Sequence, residues 1–222
     1  MADFNFKKWN LILGWLAFLI AFITYSLTVE PTVSFWDAGE YILTSSKLQV
    51  GHPPGAPFFQ MMGAFFSIFA SEPSQIGLMI NMMSATASAF TILFMFWSAS
   101  KIIRKIVVAT SEWNNETSKL TLGASLIAAL SYTFTDSFWF NAVEAEVYSM
   151  ASLFIALLFW LGLKWEEELE TERGNKWVIL ISLVIGLSFG VHFLALLALP
   201  SIGMLYFFKT QKKYVFIKDK RI

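Results

Sequence analysis

The sequence predicts an all-α integral membrane protein, a bundle of about six transmembrane helices with interfacial helices in its first outer loop. Three observations predict it. Of the 222 residues, 56% are hydrophobic, and the mean hydropathy is +0.60. Only 14% are charged, where a soluble domain carries roughly 25%. The apolar residues come in long runs, and the polar segments between them alternate in charge sign, as expected of a chain that crosses a bilayer repeatedly. The 23 Phe and 9 Trp suit lipid contact and interfacial anchoring. Zero net charge leaves no case for nucleic-acid binding. With no cysteine there are no disulfides, and the redox compartment is not readable.

The first span is Asn10 to Thr28, which Glu30 and Pro31 end. At about 19 residues it is long enough to cross a hydrocarbon core of about 30 Å. It lacks a small-residue cleavage site and reads as a retained span. Lys7 and Lys8 before it place the N-terminus in the cytoplasm and the following loop outside. Within that loop, Trp36 to Val50 suits a short helix. His52-Pro53-Pro54-Gly55 does not, because each proline lacks an N–H and restricts its predecessor. Residues 58–70 are apolar but too short to span, so an interfacial or re-entrant helix is expected.

Ile76 to Ser100 is the second span. Its Ser84, Ala85, Ala87, Ser88 and Ala89 favour close helix contact, and Lys101, Arg104 and Lys105 mark its inner end. Residues 106–119 are expected to form a polar inner loop, where the Asn115-Glu116-Thr117 sequon has no use. Leu120 to Phe134 is the third span, Asp136 to Tyr148 the second outer loop, Val147 to Leu163 the fourth span and 164–176 a charged inner turn. Trp177 to Phe208 is too long for one untilted crossing. Two short crossings, broken near Gly190-Val191-His192, keep Lys209, Lys212, Lys213, Lys218, Lys220 and Arg221 inside. The chain is expected to form a single transmembrane module, the N-terminal portion of a longer protein.

In this topology seven acids lie outside (Glu30, Asp37, Glu40, Glu72, Asp136, Glu144 and Glu146) against one base, Lys47. Both histidines join them. Asp37 and Glu40 are three apart, which puts them on one face of a helix. One then serves as general base while the other orients it or binds a cation; the same spacing also suits two solvated loop acids. Trp36 suits stacking on a sugar or anchoring at the interface. His52 suits phosphate, a metal or the turn itself. Glu144 and Glu146 are candidates to complete a site with Asp37, either a metal site for Mg²⁺, Mn²⁺ or Ca²⁺ or an acceptor site; they equally suit a charged turn. His192 lies within an apolar run, where an ionisable group points to function by default; a single neutral histidine satisfied by a neighbouring carbonyl is the other reading.

The segments SFWDAGEYILTSSKLQVGHPPGAPFF, INMMSATASAFTILFMFW, FWFNAVEAEVYSM and GLSFGVHFLALLALP resemble the DUF2723 family. This family is also called glycosyltransferase family 117 and is related to TMEM260-type protein O-mannosyltransferases. The resemblance covers most of residues 10–208. It implies a GT-C fold, an active site in the first outer loop, a sugar donor on a polyprenyl-phosphate carrier, and inversion at the anomeric centre. It implies Asp37 as the first-loop base, with Glu40 in the same motif. Glu144 or Glu146 falls at the second-loop acidic position, and His52 and His192 match motif positions. The expected substrates are that donor and a hydroxyl acceptor, an exported protein or glycan, at the periplasmic or lumenal face; Lys47 and the histidines are the outer-face cations for the phosphate. The family's chains are longer. A transporter or lipid-carrier binding protein using the same acids is the alternative. Clustering of the acids in outer loops rather than at the midplane weighs against it. A scaffold without chemistry requires Asp37 and Glu40 to stand apart from Glu144 and Glu146.

Overall fold

Apolar runs set where this chain is helical; the Asn5 and Asn114 side chains and Pro57 mark the starts of three of the helices. The computed structural model describes the backbone of residues 4–218 and the side chains up to residue 211. The basic side chains expected from Lys212 onward therefore lie outside the described residues. All regular structure among the described residues is helical. Helix α1 is Phe6–Thr28, opened by the Asn5 side chain, which accepts from the Lys8 N–H at 3.0 Å. Two short helices follow, α2 (Ala38–Lys47) and α3 (Pro57–Ser67). A 3₁₀ turn at Pro73–Gln75 leads into α4 (Ile76–Thr110). Then come α5 (Asn115–Thr133), α6 (Asp136–Ala142), α7 (Val147–Glu168) and α8 (Gly174–Ser188), a 3₁₀ segment at Phe193–Leu197, and α9 (Ala198–Lys218).

The chain is an all-α membrane bundle. Helices α1, α4 with its leading turn, α7, and the stretch Phe193–Gln211 are long and apolar enough to cross a membrane. Helix α5 is long enough but carries Thr117, Ser118, Thr121 and Ser125 along its length; α8 is apolar but has only 15 residues.

Helix α4 is the axis. Its 35 residues rise about 52 Å, well beyond a hydrocarbon core of about 30 Å. On one side α1, α5 and α6 pack around Ala17, Ala21, Ala85, Ala89 and Phe96. On the other, α2, α3, α7 and α8 pack around Phe59, Ile80, Met83 and Leu158. Ser84, Ala85, Ser88 and Ala89 are fully buried, so small side chains let these neighbours come close on both sides.

The inner loop expected over residues 106–119 is much shorter. Helix α4 continues through Ile106, Val107 and Val108 to Thr110, and α5 begins at Asn115. Lys101, Arg104 and Lys105 mark the end of the apolar span but are good helix formers, so the helix runs on past them. Asn114 restarts the chain with a capping box: its Oδ1 accepts from the N–H groups of Glu116 and Thr117, and Thr117 Oγ1 accepts from the Asn114 N–H. The sequon threonine is thereby committed to a helix cap.

The long run from residue 177 divides near Gly190-Val191-His192. Trp177 donates to Glu168 at the C-terminal end of α7, the His192 ring meets Tyr148 at its N-terminal end, and Tyr206 stacks on Trp165 back at the C-terminal end. The chain thus passes up α7 and returns along it.

Candidate active site

The two polar loops at the Asp37 end are tied to α4 and to each other through backbone groups. Asn81 is fully buried on α4, and its Nδ2 donates to the carbonyls of Glu30 (2.7 Å) and Thr32 (2.8 Å). The Glu30 N–H donates in turn to the Val143 carbonyl at 2.9 Å. One side chain thereby fixes the start of the first loop, and that strand of chain fixes the second. A third segment joins them at Gly190, whose carbonyl accepts from the N–H groups of Phe58 (2.7 Å) and Phe59 (3.2 Å) at the start of α3. These are among the donors that a helix N-terminus leaves unpaired. A Cβ on Gly190 would stand 2.7 Å from Phe58 Cβ, so only glycine allows this approach.

The three segments enclose a cavity of about 90 Å³ lined by Asp37, Tyr41, His52, Glu146, Tyr148 and His192, among others. Asp37 stands at the start of α2 and makes no capping hydrogen bond with its side chain. Three residues on, Glu40 reaches back over the turn. Its Oε1 accepts from the His52 backbone N–H at 2.6 Å, and its Oε2 lies 3.0 Å from His52 Nδ1. The turn itself is closed by the Gly55 N–H donating to the His52 carbonyl at 2.8 Å, around a cis Pro53–Pro54 bond. Gly55 sits at φ +78°, a conformation that favours glycine. With Nδ1 directed at Glu40, His52 keeps Nε2 available. His192 is turned the other way: its Nδ1 accepts from the Leu194 N–H at 3.0 Å, so the neutral ring carries its proton on Nε2.

The electrostatics separate the acids. Hydrogen bonds from the His52 backbone and ring hold Glu40 below the usual carboxylate range, and the same contact raises His52. Burial pushes Glu146 up to about 7, and the charges of Glu144 and Asp37 add to the effect. Glu146 is only 5% exposed, and its Oε1 has no hydrogen-bond partner among the described residues. Near neutral pH this carboxyl shares its time between acid and base, the condition that general acid–base chemistry favours. Burial and the charges of Glu146, Asp37 and Glu40 push the Tyr41 phenol up to about 12, so it stays a donor.

Of the residues singled out from sequence, Asp37, His52, Glu146 and His192 line the cavity, and Glu40 braces it through His52. Glu144 does not line it. A bend at residues 143–145 turns Glu144 away, toward Ser34 and Glu30, where burial raises its carboxyl. Trp36 is 85% exposed at φ +59°, and Lys47 lies exposed at the far end of α2. Neither lines the cavity. Asn81, Tyr41, Tyr148 and Gly190 had drawn no attention in the sequence as site residues. Only Tyr41, four residues beyond Asp37 on the same helix face, carried a signal that spacing could have given.

Carboxylate and imidazole ligand atoms of Asp37, Glu40 and His52 lie within 4.8 Å of one another. This hard oxygen set with one imidazole suits a divalent ion such as Mn²⁺ or Mg²⁺. Of the acids expected to hold a cation, Asp37 belongs to this group, while Glu144 and Glu146 do not. The unpartnered Glu146 oxygen in the adjoining cavity is the second feature that a cation or a proton would satisfy.

Two curated relatives show what the chain is similar to. It is 29% identical over 198 residues to a protein O-mannosyl-transferase tmem260 of Dictyostelium discoideum, covering 83% of this chain and 22% of the relative. It is 23% identical over 164 residues to a protein O-mannosyl-transferase TMEM260 of Mus musculus, covering 74% of this chain and 21% of the relative. The chain therefore spans about a fifth of the length of these curated relatives. No solved structure matches it. A family model described as the protein O-mannosyl-transferase TMEM260 N-terminal domain matches residues 37–215, beginning at Asp37 and running through α7 and α8 into α9. With the cavity, its acids and both histidines inside that match, the chain belongs to the TMEM260 N-terminal domain family.

Proposed function

We propose that this chain is the single transmembrane catalytic module of a protein O-mannosyltransferase. It moves mannose from a polyprenyl-phosphate carrier to a Ser or Thr hydroxyl of an exported protein, at the non-cytoplasmic face, with inversion. The observation that carries the reading is the convergence of Asp37 and Glu146, from loops far apart in sequence, on one cavity with His52 and His192. Asp37 takes the proton of the acceptor hydroxyl. The freed oxygen forms a bond to the anomeric carbon from the face opposite the carrier, and the bond from that carbon to the carrier phosphate breaks. The phosphate leaves with the electron pair, and a single displacement inverts the centre. The phosphate is already a stable leaving group, so positioning and electrostatics supply most of the acceleration.

The cavity volume corresponds to about three waters, smaller than a hexose. Among the described residues no Lys or Arg lines this cavity. A divalent cation held by Asp37, Glu40 and His52 would neutralise the donor phosphate there. The Tyr41 hydroxyl donates to the same group.

Replacing Asp37 with Asn tests the reading, in membranes supplied with polyprenyl-phosphate-linked radiolabelled mannose and a Ser/Thr-rich peptide. Loss of general-base help is worth roughly 10²–10⁴-fold in rate. Transfer should fall by at least about 100-fold while membrane insertion is unchanged; undiminished transfer removes Asp37 from the mechanism.

A further inference from the structure

At the opposite end of the bundle, α1, α4 and α7 part to form a cleft of about 890 Å³. Lys7, Lys101, Arg104, Lys105 and Lys164 line it, against the acids Glu166 and Glu167. That is a surplus of three positive charges facing one space. Lys101 is paired to Glu167 and Lys105 to Glu166. Lys7, Arg104 and Lys164 have no acidic partner among the described residues. Arg104 instead lies over the rings of Phe6 and Trp113, and Lys164 over Trp160.

The cleft does not stop at the charged layer. An adjoining space of about 370 Å³ shares Lys7, Asn10, Lys101 and Lys164 with it and is walled by Leu11, Trp97 and Trp160. Trp97 and Trp160 are 5.7 Å apart, and the Trp97 indole is fixed by donating to the Asn10 carbonyl. Asn10 Oδ1 is buried there without a partner among the described residues. The site is thus graded. Unpaired cations sit at the mouth, an orphaned acceptor sits just above, and an apolar aromatic wall follows along the membrane-spanning helices.

We propose that this cleft binds the phosphate-bearing headgroup of an anionic membrane lipid, with Arg104, Lys164 and Lys7 on the phosphate. Asn10 Oδ1 accepts from a headgroup hydroxyl, and the first acyl segment lies along Leu11, Trp97 and Trp160. Basic pockets between membrane helices take such headgroups, and the planar Arg guanidinium suits a phosphate. A soluble phosphate would use the cations but not the apolar wall, which is the reason to favour a lipid. The proposal is independent of the chemistry at the acidic end.

The test is native mass spectrometry of the purified protein in detergent, titrated with phosphatidylglycerol, with phosphatidylcholine, or with phosphatidylglycerol in the presence of inorganic phosphate. Phosphatidylglycerol should be retained in preference to phosphatidylcholine, and millimolar inorganic phosphate should not displace it. Arg104→Gln with Lys164→Gln should weaken retention roughly 10- to 30-fold. Lys119→Gln, an exposed charge on the same end outside the cleft, should leave it unchanged. Arg104→Lys with Lys164→Arg keeps the charge and should retain most of the lipid. Equal retention of the two lipids, displacement by inorganic phosphate, or an equal loss in Lys119→Gln would each overturn the proposal. Should the double Gln variant not fold, the comparison of lipids on the unaltered protein still decides it.

Discussion

The two polar ends of this bundle are built by opposite means. The acidic end is held by short hydrogen bonds that each involve a backbone group: Asn81 to Glu30 and Thr32, Glu30 to Val143, Phe58 and Phe59 to Gly190, and His52 to Glu40. The basic end is held by long side chains: Lys101 to Glu167, Lys105 and Lys209 to Glu166, and Arg104 over aromatic rings. Backbone groups have few degrees of freedom, so they place a neighbour to within a fraction of an ångström. Lysine and glutamate pairs carry several rotatable bonds each and lose entropy when held. An end that must align reacting atoms is expected to use the first means. An end that must accept a variable, charged headgroup is served by the second.

The sharpest way to break this comparison is at Gly190. In Gly190→Val the new side chain meets Phe58 Cβ at 2.7 Å and the Phe58 backbone N at 3.1 Å. Overpacking costs about 1–3 kcal/mol, and separating the segments also releases two amide hydrogen bonds worth roughly 1 kcal/mol each. The variant should show the largest drop in melting temperature of any single change discussed, together with loss of transfer. An unaltered melting temperature would mean that Gly190 does not hold the acidic end.

Glu146 probes the same end more gently, through pH. Its folded-state value of about 7 lies above the ordinary carboxylate value of 4.5. A raised acid contributes its full stability below the lower value, loses it as pH climbs between the two, and is level above the higher. The unaltered protein should therefore lose stability between about pH 4.5 and about pH 7, on the order of 1–3 kcal/mol at about 1.4 kcal/mol per pKa unit. Glu146→Gln removes the titration. It should match the parent at pH 4.5 and melt higher at pH 8, a divergence visible in melting curves across that range. Parallel curves would show that Glu146 is solvated and not the buried acid described above.

Much of this was legible in the sequence, and the rest has physical reasons for being hidden. The placement of Asp37 and Glu146 at one end follows from counting apolar runs and the sign of the charges between them. Which of Glu144 and Glu146 faces the cavity did not follow, because a bend at residues 143–145 decides it and no local pattern encodes that bend. Lys101, Arg104 and Lys105 interrupt the apolar run, but hydropathy marks the edge of a bilayer and not the end of a helix. Hence α4 overran its expected limit to Thr110. Asn81 reads as one polar residue in a small-residue stretch; its importance comes from two carbonyls some fifty positions away. Gly190 was visible as a break, but the amides of α3 that it receives belong to another segment altogether.

The smallest expected effect lies at the basic end and sharpens the contrast. Glu167 is paired to Lys101 but its side chain is 40% exposed. Exposed ion pairs contribute about 0–1 kcal/mol, so Glu167→Gln should shift the melting temperature by no more than a few degrees. The same change removes one of the two acids lining the cleft and leaves Lys101 without its partner. If that end is shaped by charge rather than by backbone geometry, phosphatidylglycerol retention should rise by several-fold while the mannosyl transfer proposed for the far end stays as it was. A large fall in stability with no gain in lipid would show instead that the Lys101–Glu167 pair is structural, and that both ends of the bundle depend on fixed contacts.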